Sequence, residues 1–379
     1  MASLKERLLA RIAAEGPLPF ETFQAAALYD PDGFFGGDVL RSEKAGDFLT
    51  SPEVSPMFGE TLATFVDAEL ARVDGHRVVE VAAGSGSLLR PLLAELGSIE
   101  RSPQRGDGPR PVEPGGRGAP HAPHELDAWA VEASPAARIV LADVVGPDRV
   151  VASLTDVPTP IDGVVLANEL LDNLPVALAI REGDGWTERF VGAQDGELAL
   201  VPVEARPTVA EWAERFGLPC PEGGIVEVQL AAAEWVTEAL ARLGRGTLVL
   251  VDYGDETENL APRRQDGTLR TYRSHHLGPH PLAEPGETDI TVDVNVTALR
   301  AALEAAGAEV EVYRQDDFLA SLGLRERLSE LRHRELALAR SSEEGAPMER
   351  LQVRSIRNEA ETLLHPRGLG DFRVVVARA

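Results

Sequence analysis

Residues Val78–Leu88, VVEVAAGSGSL, place one acid, Glu80, on an apolar run that ends in Gly84-Ser85-Gly86. An unbroken run of this kind reads as a strand buried on both faces, and the glycines turn it into a helix. Such a turn lets a nucleotide-like ligand approach bare backbone N–H groups at a helix N-terminus. A dinucleotide-binding strand places its acid about 20 residues after the glycines, whereas Glu80 precedes them. A second acid, Glu132, follows Gly86 by 46 positions, or by 19 once the 27 residues of Ser98–His124 are set aside as an insertion. At the end of the next strand a carboxylate can accept two hydrogen bonds from a ribose diol; the alternative is a strand-end acid facing water.

Three further segments could carry chemistry. Asn168-Glu169-Leu170-Leu171-Asp172-Asn173-Leu174-Pro175 ends another apolar run. In open parallel sheets, ligands bind beyond such strand ends. Glu169 and Asp172 suit a guanidinium, which carboxylates hold in bidentate fashion; Asp172 or Asn173 could instead cap the following helix. Gly46–Ser55 (GDFLTSPEVS) contains a helix start at Ser51-Pro52-Glu53. A cap accounts for Ser51 and Pro52 and leaves Asp47 and Phe48 unexplained. Arg270, Tyr272, Arg273, His275 and His276 form a polar cluster. Adjacent histidines on a strand face opposite sides and no third ligand stands nearby, so no metal is expected.

The elements that must position these residues alternate. Strand patterns run over Val78–Ala83, Ala128–Ala133, Val150–Ser153, Gly163–Asn168, Thr247–Tyr253, Val310–Arg314 and Phe372–Ala379. Helical patterns lie between many of them, at Leu88–Leu96, Pro135–Ala142, Ala231–Leu243 and Val296–Ala306. This alternation predicts an α/β fold with a mostly parallel sheet. Leu178–Val203 alternates as antiparallel strands do, with turn signals at Gly183-Asp184-Gly185 and Asp195-Gly196. Arg325–Arg340 reads as a charged surface helix, and the first 60 residues as a cap. Ser98–His124, rich in Pro, Gly and Arg, reads as a disordered insertion.

Composition narrows the setting. The 379 residues are 44% hydrophobic, ample for a large core. With 37 Lys and Arg against 62 Asp and Glu, the net charge of −25 disfavours nucleic acid and suits a cationic partner or a solvated acidic surface. One cysteine, Cys220, allows neither an intrachain disulfide nor a cysteine metal cluster, which fits a reducing cytoplasmic compartment. The N-terminal MASLKERLLARIAAEG is amphipathic and lacks the apolar region of a secretory signal; no apolar run is long enough to span a membrane.

Taken together, Phe20–Phe35, Gly46–Glu60, Glu80–Leu88, Ala130–Pro135, Ala167–Pro175, Leu250–Gly254, Gly267–His276, Pro285–Val294 and Leu369–Val375 resemble the MidA-like S-adenosyl-L-methionine (SAM) dependent methyltransferases, in family order and over most of the chain. GDFLTSPE, ANELLDNLP and GTLRTYRSHH are the specific segments. There are departures. Ala82 stands where the family has a glycine, Phe34-Phe35 where it has two tyrosines, Gln24 where it has Met and Ala45 where it has a glycine before Gly46. The insertion after Gly97 is atypical.

The resemblance implies a class I, Rossmann-like methyltransferase with a mostly parallel seven-stranded sheet, an N-terminal cap and inserted substrate-binding elements. The expected organisation is a cap over 1–75 and a methyltransferase core over 76–379. Within the core, 98–124 is a disordered insertion, 176–230 an antiparallel insertion and 255–295 a substrate-side insertion. Glu80, Gly84, Gly86, Glu132, Asp156 and Asn168 are expected at SAM. Glu169, Asp172, Asp47 and Glu53 are the candidate catalytic carboxylates, and Phe48, Asn173, Arg270, Tyr272, His275 and His276 are the candidate substrate contacts. The implied reaction is methyl transfer to a protein arginine. A small molecule or another protein side chain as acceptor, and a noncatalytic SAM-binding assembly factor, stand as alternatives. A nicotinamide-dependent dehydrogenase is disfavoured because Leu89 occupies the third glycine position. The oligomeric state is left open, a homodimer included.

Overall fold

The computed structural model describes residues 2–37, 50–101, 126–273 and 276–379. Asp47, Phe48 and His275 lie outside these residues, as does most of the expected insertion. The helix Leu89–Arg101 runs into the start of that segment, because Leu92 and Leu96 anchor it to the core.

Seven strands form the central sheet: β1 Arg77–Val81, β2 Asp127–Val131, β3 Val150–Val151, β4 Ile161–Asn168, β5 Leu243–Asp252, β6 Glu309–Arg314 and β7 Arg373–Arg378. Their order is β6-β7-β5-β4-β1-β2-β3. β5, β4, β1, β2 and β3 run parallel, while β7 is antiparallel to both β5 and β6. All seven correspond to the strand patterns of the sequence.

Alternate residues of the strands feed two separate cores. Val78, Val164, Leu166, Val249, Val251, Val374 and Val376 pack with helices Met57–Val73, Leu89–Arg101, Pro135–Val145 and the C-terminal helices on one face. Val79, Val81, Val165, Ala167, Leu248, Leu250 and Val375 pack with Leu230–Arg242 and Val296–Ala305 on the other. The period of two along each strand produces this three-layer arrangement. Each buried Val or Leu contributes about 1.5–3 kcal/mol of transfer free energy. A cross-sheet latch closes one edge of these layers: Glu69 accepts hydrogen bonds from both Arg378 and Arg72 and from the Thr247 hydroxyl.

A second, antiparallel sheet carries Ala177–Glu182, Gly185–Gln194, Glu197–Glu204 and Ile225–Val228. Its Asp195-Gly196 hairpin has positive φ at both residues, 53° and 82°, as the twist of a two-residue turn requires. Helices Leu4–Glu15 and Phe20–Tyr29 lie against this sheet through Leu4, Leu8, Phe20, Phe23 and Leu28, which meet Val176, Leu178, Val191 and Ile290. The helix Met57–Val73 belongs by its packing to the central sheet instead. Arg206 ties the two parts of this region together through Glu188 and Glu21.

Among the described residues, no helix is long and apolar enough to cross a membrane.

Candidate active site

A cleft of about 900 Å³ opens at the carboxyl ends of β1, β2, β4 and β5. This is where a parallel sheet with a reversal of strand order binds ligands. Its first wall is the turn after β1. Ala82 and Gly84 there have φ of 57° and 51°. Gly84 N–H donates to the Glu132 carboxylate at 2.8 Å, and Ser134 N–H donates to its other oxygen at 2.8 Å. Glu132 thus fastens the glycine turn to the end of β2, and each of its oxygens keeps a lone pair for a further donor. Burial raises the Glu132 carboxyl against the pull of those N–H groups. Glu80 lies deeper; burial and then the Glu132 charge push it well above its ordinary range. Glu80 Oε2 is buried without a hydrogen-bond partner.

The second wall is the segment after β4. Asp252, at the end of β5, accepts hydrogen bonds from Leu171 N at 2.9 Å and Asp172 N at 3.3 Å, and so holds this segment as a tight turn. Glu169, at φ 51°, is half-buried and faces the cleft. Burial and the neighbouring Asp172 charge push its carboxyl up to about 8, against hydrogen bonds from Asn168 and the Ser51 N–H. Burial pushes Asp172 up to about 6, with the Tyr253 hydroxyl donating to it and Asp293 adding repulsion. Asp172 Oδ1 and Asn168 Oδ1 are buried and have no hydrogen-bond partner. Asn173 donates to Asp289 at 2.7 Å and to Ile290 O at 3.2 Å, so its amide nitrogen is committed to holding the wall.

The remaining predicted residues divide. Glu53 lines the cleft and also closes the capping box of helix Ser51–Val54, accepting from Thr50 N at 3.0 Å; Thr50, not Ser51, is the cap. Arg270 and Tyr272 line the cleft. Three do not line it. Gly86 instead packs closely on the helix Pro135–Val145, where an added Cβ would meet Leu141 and Val144. Asp156 is exposed and caps its own short turn through Ser153 N at 3.2 Å; Ala152, Ser153 and Leu154 form the cleft wall there. His276 is exposed on a two-residue strand paired with Arg273. Sequence reasoning passed over Tyr253, Asp252, Asp289, Asp293 and Arg263. LVDYG and Pro285–Val294 marked four of these as parts of motifs, but nothing local put Tyr253, Asp289, Asp293 and Arg263 in the cleft lining or Asp252 behind its turn.

A model described as "Putative S-adenosyl-L-methionine-dependent methyltransferase" matches residues 57–314. The chain belongs to that methyltransferase family. A structure from Burkholderia thailandensis, described as a "likely methyl transferase" bound to S-adenosyl-homocysteine, superposes with a TM-score of 0.81 at 28% identity, covering 99% of this chain and 92% of that one. The human mitochondrial protein arginine methyltransferase NDUFAF7 is 25% identical, covering 96% of this chain and 80% of its own. Its Caenorhabditis elegans homolog is 26% identical, covering 86% and 78%. These relatives are named as mitochondrial, which overturns the cytoplasmic setting expected from the single cysteine.

The protein is therefore a SAM-dependent methyltransferase, and its cleft fits that cofactor. SAM carries two positive centres, the sulfonium and the amino group. The cleft offers the buried, unpartnered oxygens of Asn168 and Glu80, the Glu132 carboxylate and a turn of exposed backbone.

Proposed function

We propose that this methyltransferase transfers the methyl group of SAM to an arginine guanidinium of a protein. One observation carries the reading: Glu169 and Asp172 stand together at the cleft, and neither has an arginine or lysine partner among the described residues. Burial, and then the charge of Asp172, raises Glu169 to about 8, and burial raises Asp172 to about 6. A permanent cation with planar donors supplies what these groups lack. The naming of the mitochondrial relatives as protein arginine methyltransferases supports the same acceptor.

SAM, when bound, supplies an electrophilic methyl group. In this reading the Gly84 turn, Glu132, Asn168 and Glu80 hold it. Glu169 and Asp172 grip the guanidinium and draw its positive charge toward the far nitrogens, which leaves electron density on the nitrogen that faces the methyl group. Alignment of this kind can lower a barrier by several kcal/mol (up to about 7–11). Tyr253 orients Asp172, and Asp252 keeps the whole turn in place. The proton leaves after methyl transfer, because a guanidinium stays charged in water. Glu169, which faces the open cleft, passes it on to solvent while the methylguanidinium keeps its single positive charge. Tyr29, Phe35, Thr50 and Glu53 from the N-terminal region and Arg263, Arg270 and Tyr272 from the substrate-side insertion line the acceptor side.

The test is incubation of the protein with isotopically labelled SAM and an arginine-containing protein extract, followed by mass spectrometry. Labelled methylarginine is expected, and Glu169→Gln should abolish most of it while keeping SAM affinity by calorimetry. Label confined to a metabolite or to another side chain would reject the arginine reading.

A further inference from the structure

The acidic cleft has a basic rim. Arg263 and Arg270 both line the cleft and both bind one carboxylate, Asp293. Asp293 is 3% exposed, whereas the two arginine side chains are 48% and 35% exposed. Two guanidinium groups share one buried carboxylate, both side chains stay part-exposed at the cleft, and Arg270 also meets the Tyr272 side chain. Arg367 lines the same cleft, is exposed, and has no carboxylate partner among the described residues. Asp371, its acidic neighbour in the lining, is taken up by Arg314 and Arg373.

The rim is an exception to the charge of the molecule. A chain with net charge −25 repels anions at long range. Arg263, Arg270 and Arg367 are the arginines of a lining otherwise rich in carboxylates, and a charge placed within about a Debye length of 8–10 Å of them feels them most. The rim also adjoins the acidic floor. Asp293 acts on Asp172, and Val292 N–H donates to Asp172 O at 3.0 Å. A ligand whose cationic end meets Asp172 therefore presents its neighbouring atoms on the side of Asp293 and the two arginines that hold it, Arg263 and Arg270, in a cleft that Arg367 also lines.

We propose that Arg263, Arg270 and Arg367 select an acceptor that carries a carboxylate a few bonds or residues away from its methylated guanidinium. This rests on the arginine reading above. The carboxylate has two sources: an Asp or Glu flanking the target arginine in a peptide, or the α-carboxylate of free arginine. The chemistry is the same, since planar guanidinium groups pair with a carboxylate through parallel hydrogen bonds. The pair is part-exposed, so its effect is a preference and not an absolute requirement.

The experiment measures kcat/KM of methyl transfer from SAM to matched peptides in which the residues flanking one arginine are Glu, Gln or Lys. Free arginine and agmatine, which lacks the carboxylate, form a second pair. Each is run with the wild-type chain, Arg270→Gln and Arg367→Gln. The wild-type chain is expected to prefer an acidic over a neutral acceptor by about fivefold, in at least one of the two pairs, with Lys peptides poorest. The preference should shrink as salt rises, which a merely structural role of these arginines would not produce. Arg367→Gln leaves no buried partner behind and should bring the ratio toward one; Arg270→Gln, which leaves Asp293 with Arg263 alone, should do the same if it folds. Preference in the peptides identifies a flanking residue, and preference for free arginine over agmatine identifies the α-carboxylate. Methylation of arginine without any carboxylate preference, or a preference unchanged in Arg367→Gln, overturns the rim alone. Methylation of no arginine compound at all overturns the arginine reading and the rim with it.

Discussion

Replacing Glu169 with Gln should make the ligand-free protein more stable at neutral pH and flatten its stability against pH. Glu169 normally titrates near 4.5 and in the folded protein is pushed up to about 8. A carboxyl raised on folding is fully stabilising below its unfolded value, and that contribution is lost as pH rises through the folded one. Between pH 5.5 and 7.5 the unfolded chain has ionised this group while the folded chain still holds its proton. The slope over this window is about 1.4 kcal/mol per pH unit for an isolated group, or nearly 3 kcal/mol in all. The side chain is only half-buried and opens on a solvated cleft, so screening reduces the effect to about 1 kcal/mol. Gln keeps the size, the acceptor oxygen for Ser51 N–H and the same backbone at φ 51°, so the charge is the quantity removed. Asp172 and Asp252 remain in both proteins, and because Glu169 and these neighbours repel one another, the difference between the two profiles reports Glu169 together with its effect on them. Urea unfolding without SAM at steps from pH 5.5 to 7.5 measures it. The wild-type chain should lose about 1 kcal/mol more than Glu169→Gln across the window. Parallel profiles would refute the claim that burial and the Asp172 charge raise this carboxyl, and with it the reason for placing a cation there.

Other perturbations test the framework around the site. Ala82 holds φ 57° where a side chain costs about 1–2 kcal/mol, and Gly costs about 0.5–1 kcal/mol in chain entropy; Ala82→Gly should therefore gain about 0.5–1 kcal/mol by chemical denaturation, with SAM affinity kept or improved by calorimetry. Asp252→Ala strips the acceptor from Leu171 N, Asp172 N and Tyr253 N; it should cost about 2–4 kcal/mol in unfolding free energy and reduce kcat more than SAM affinity. Glu132→Ala releases Gly84 N and Ser134 N from their shared anchor, and SAM affinity by calorimetry should fall at least about tenfold, the equivalent of one charge-assisted hydrogen bond. At Glu69, burial raises the carboxyl, but hydrogen bonds from Arg378, Thr247 and Arg72 outweigh it and hold it below its ordinary range. Its stabilisation is present above about pH 4.5 and is lost as pH falls through the lowered value, so Glu69→Gln should cost about 1–3 kcal/mol at pH 7 and little at the acid end of the unfolding profile.

The seven strands of the sheet were legible in the sequence because each is a short apolar run whose burial on both faces is a local property of its residues. The hairpin at Asp195-Gly196 was legible for a similar reason, since two successive positive φ angles select those residue types. The glycine turn, Glu132 and the Asn168–Pro175 segment stood out through spacing and motif, and they meet at one cleft. The roles of single residues were less legible. Asp156 has a side chain suited to a ligand, but its own turn claims it, whereas Asn173 lines the cleft with its amide nitrogen held by Asp289 and Ile290. Tyr253 meets Asp172 across 81 positions, Asn173 meets Asp289 across 116, and Asp293 draws Arg263 and Arg270 to the rim. No periodicity records such pairings. The raised carboxyls of Glu169 and Asp172 follow from burial and from like charges brought together, and both quantities exist only once the chain has folded. The sequence by itself determined the sheet, the glycine turn and the family; the tertiary structure decided which carboxyls are buried against one another, because an electrostatic field is a sum over neighbours that the order of residues does not list.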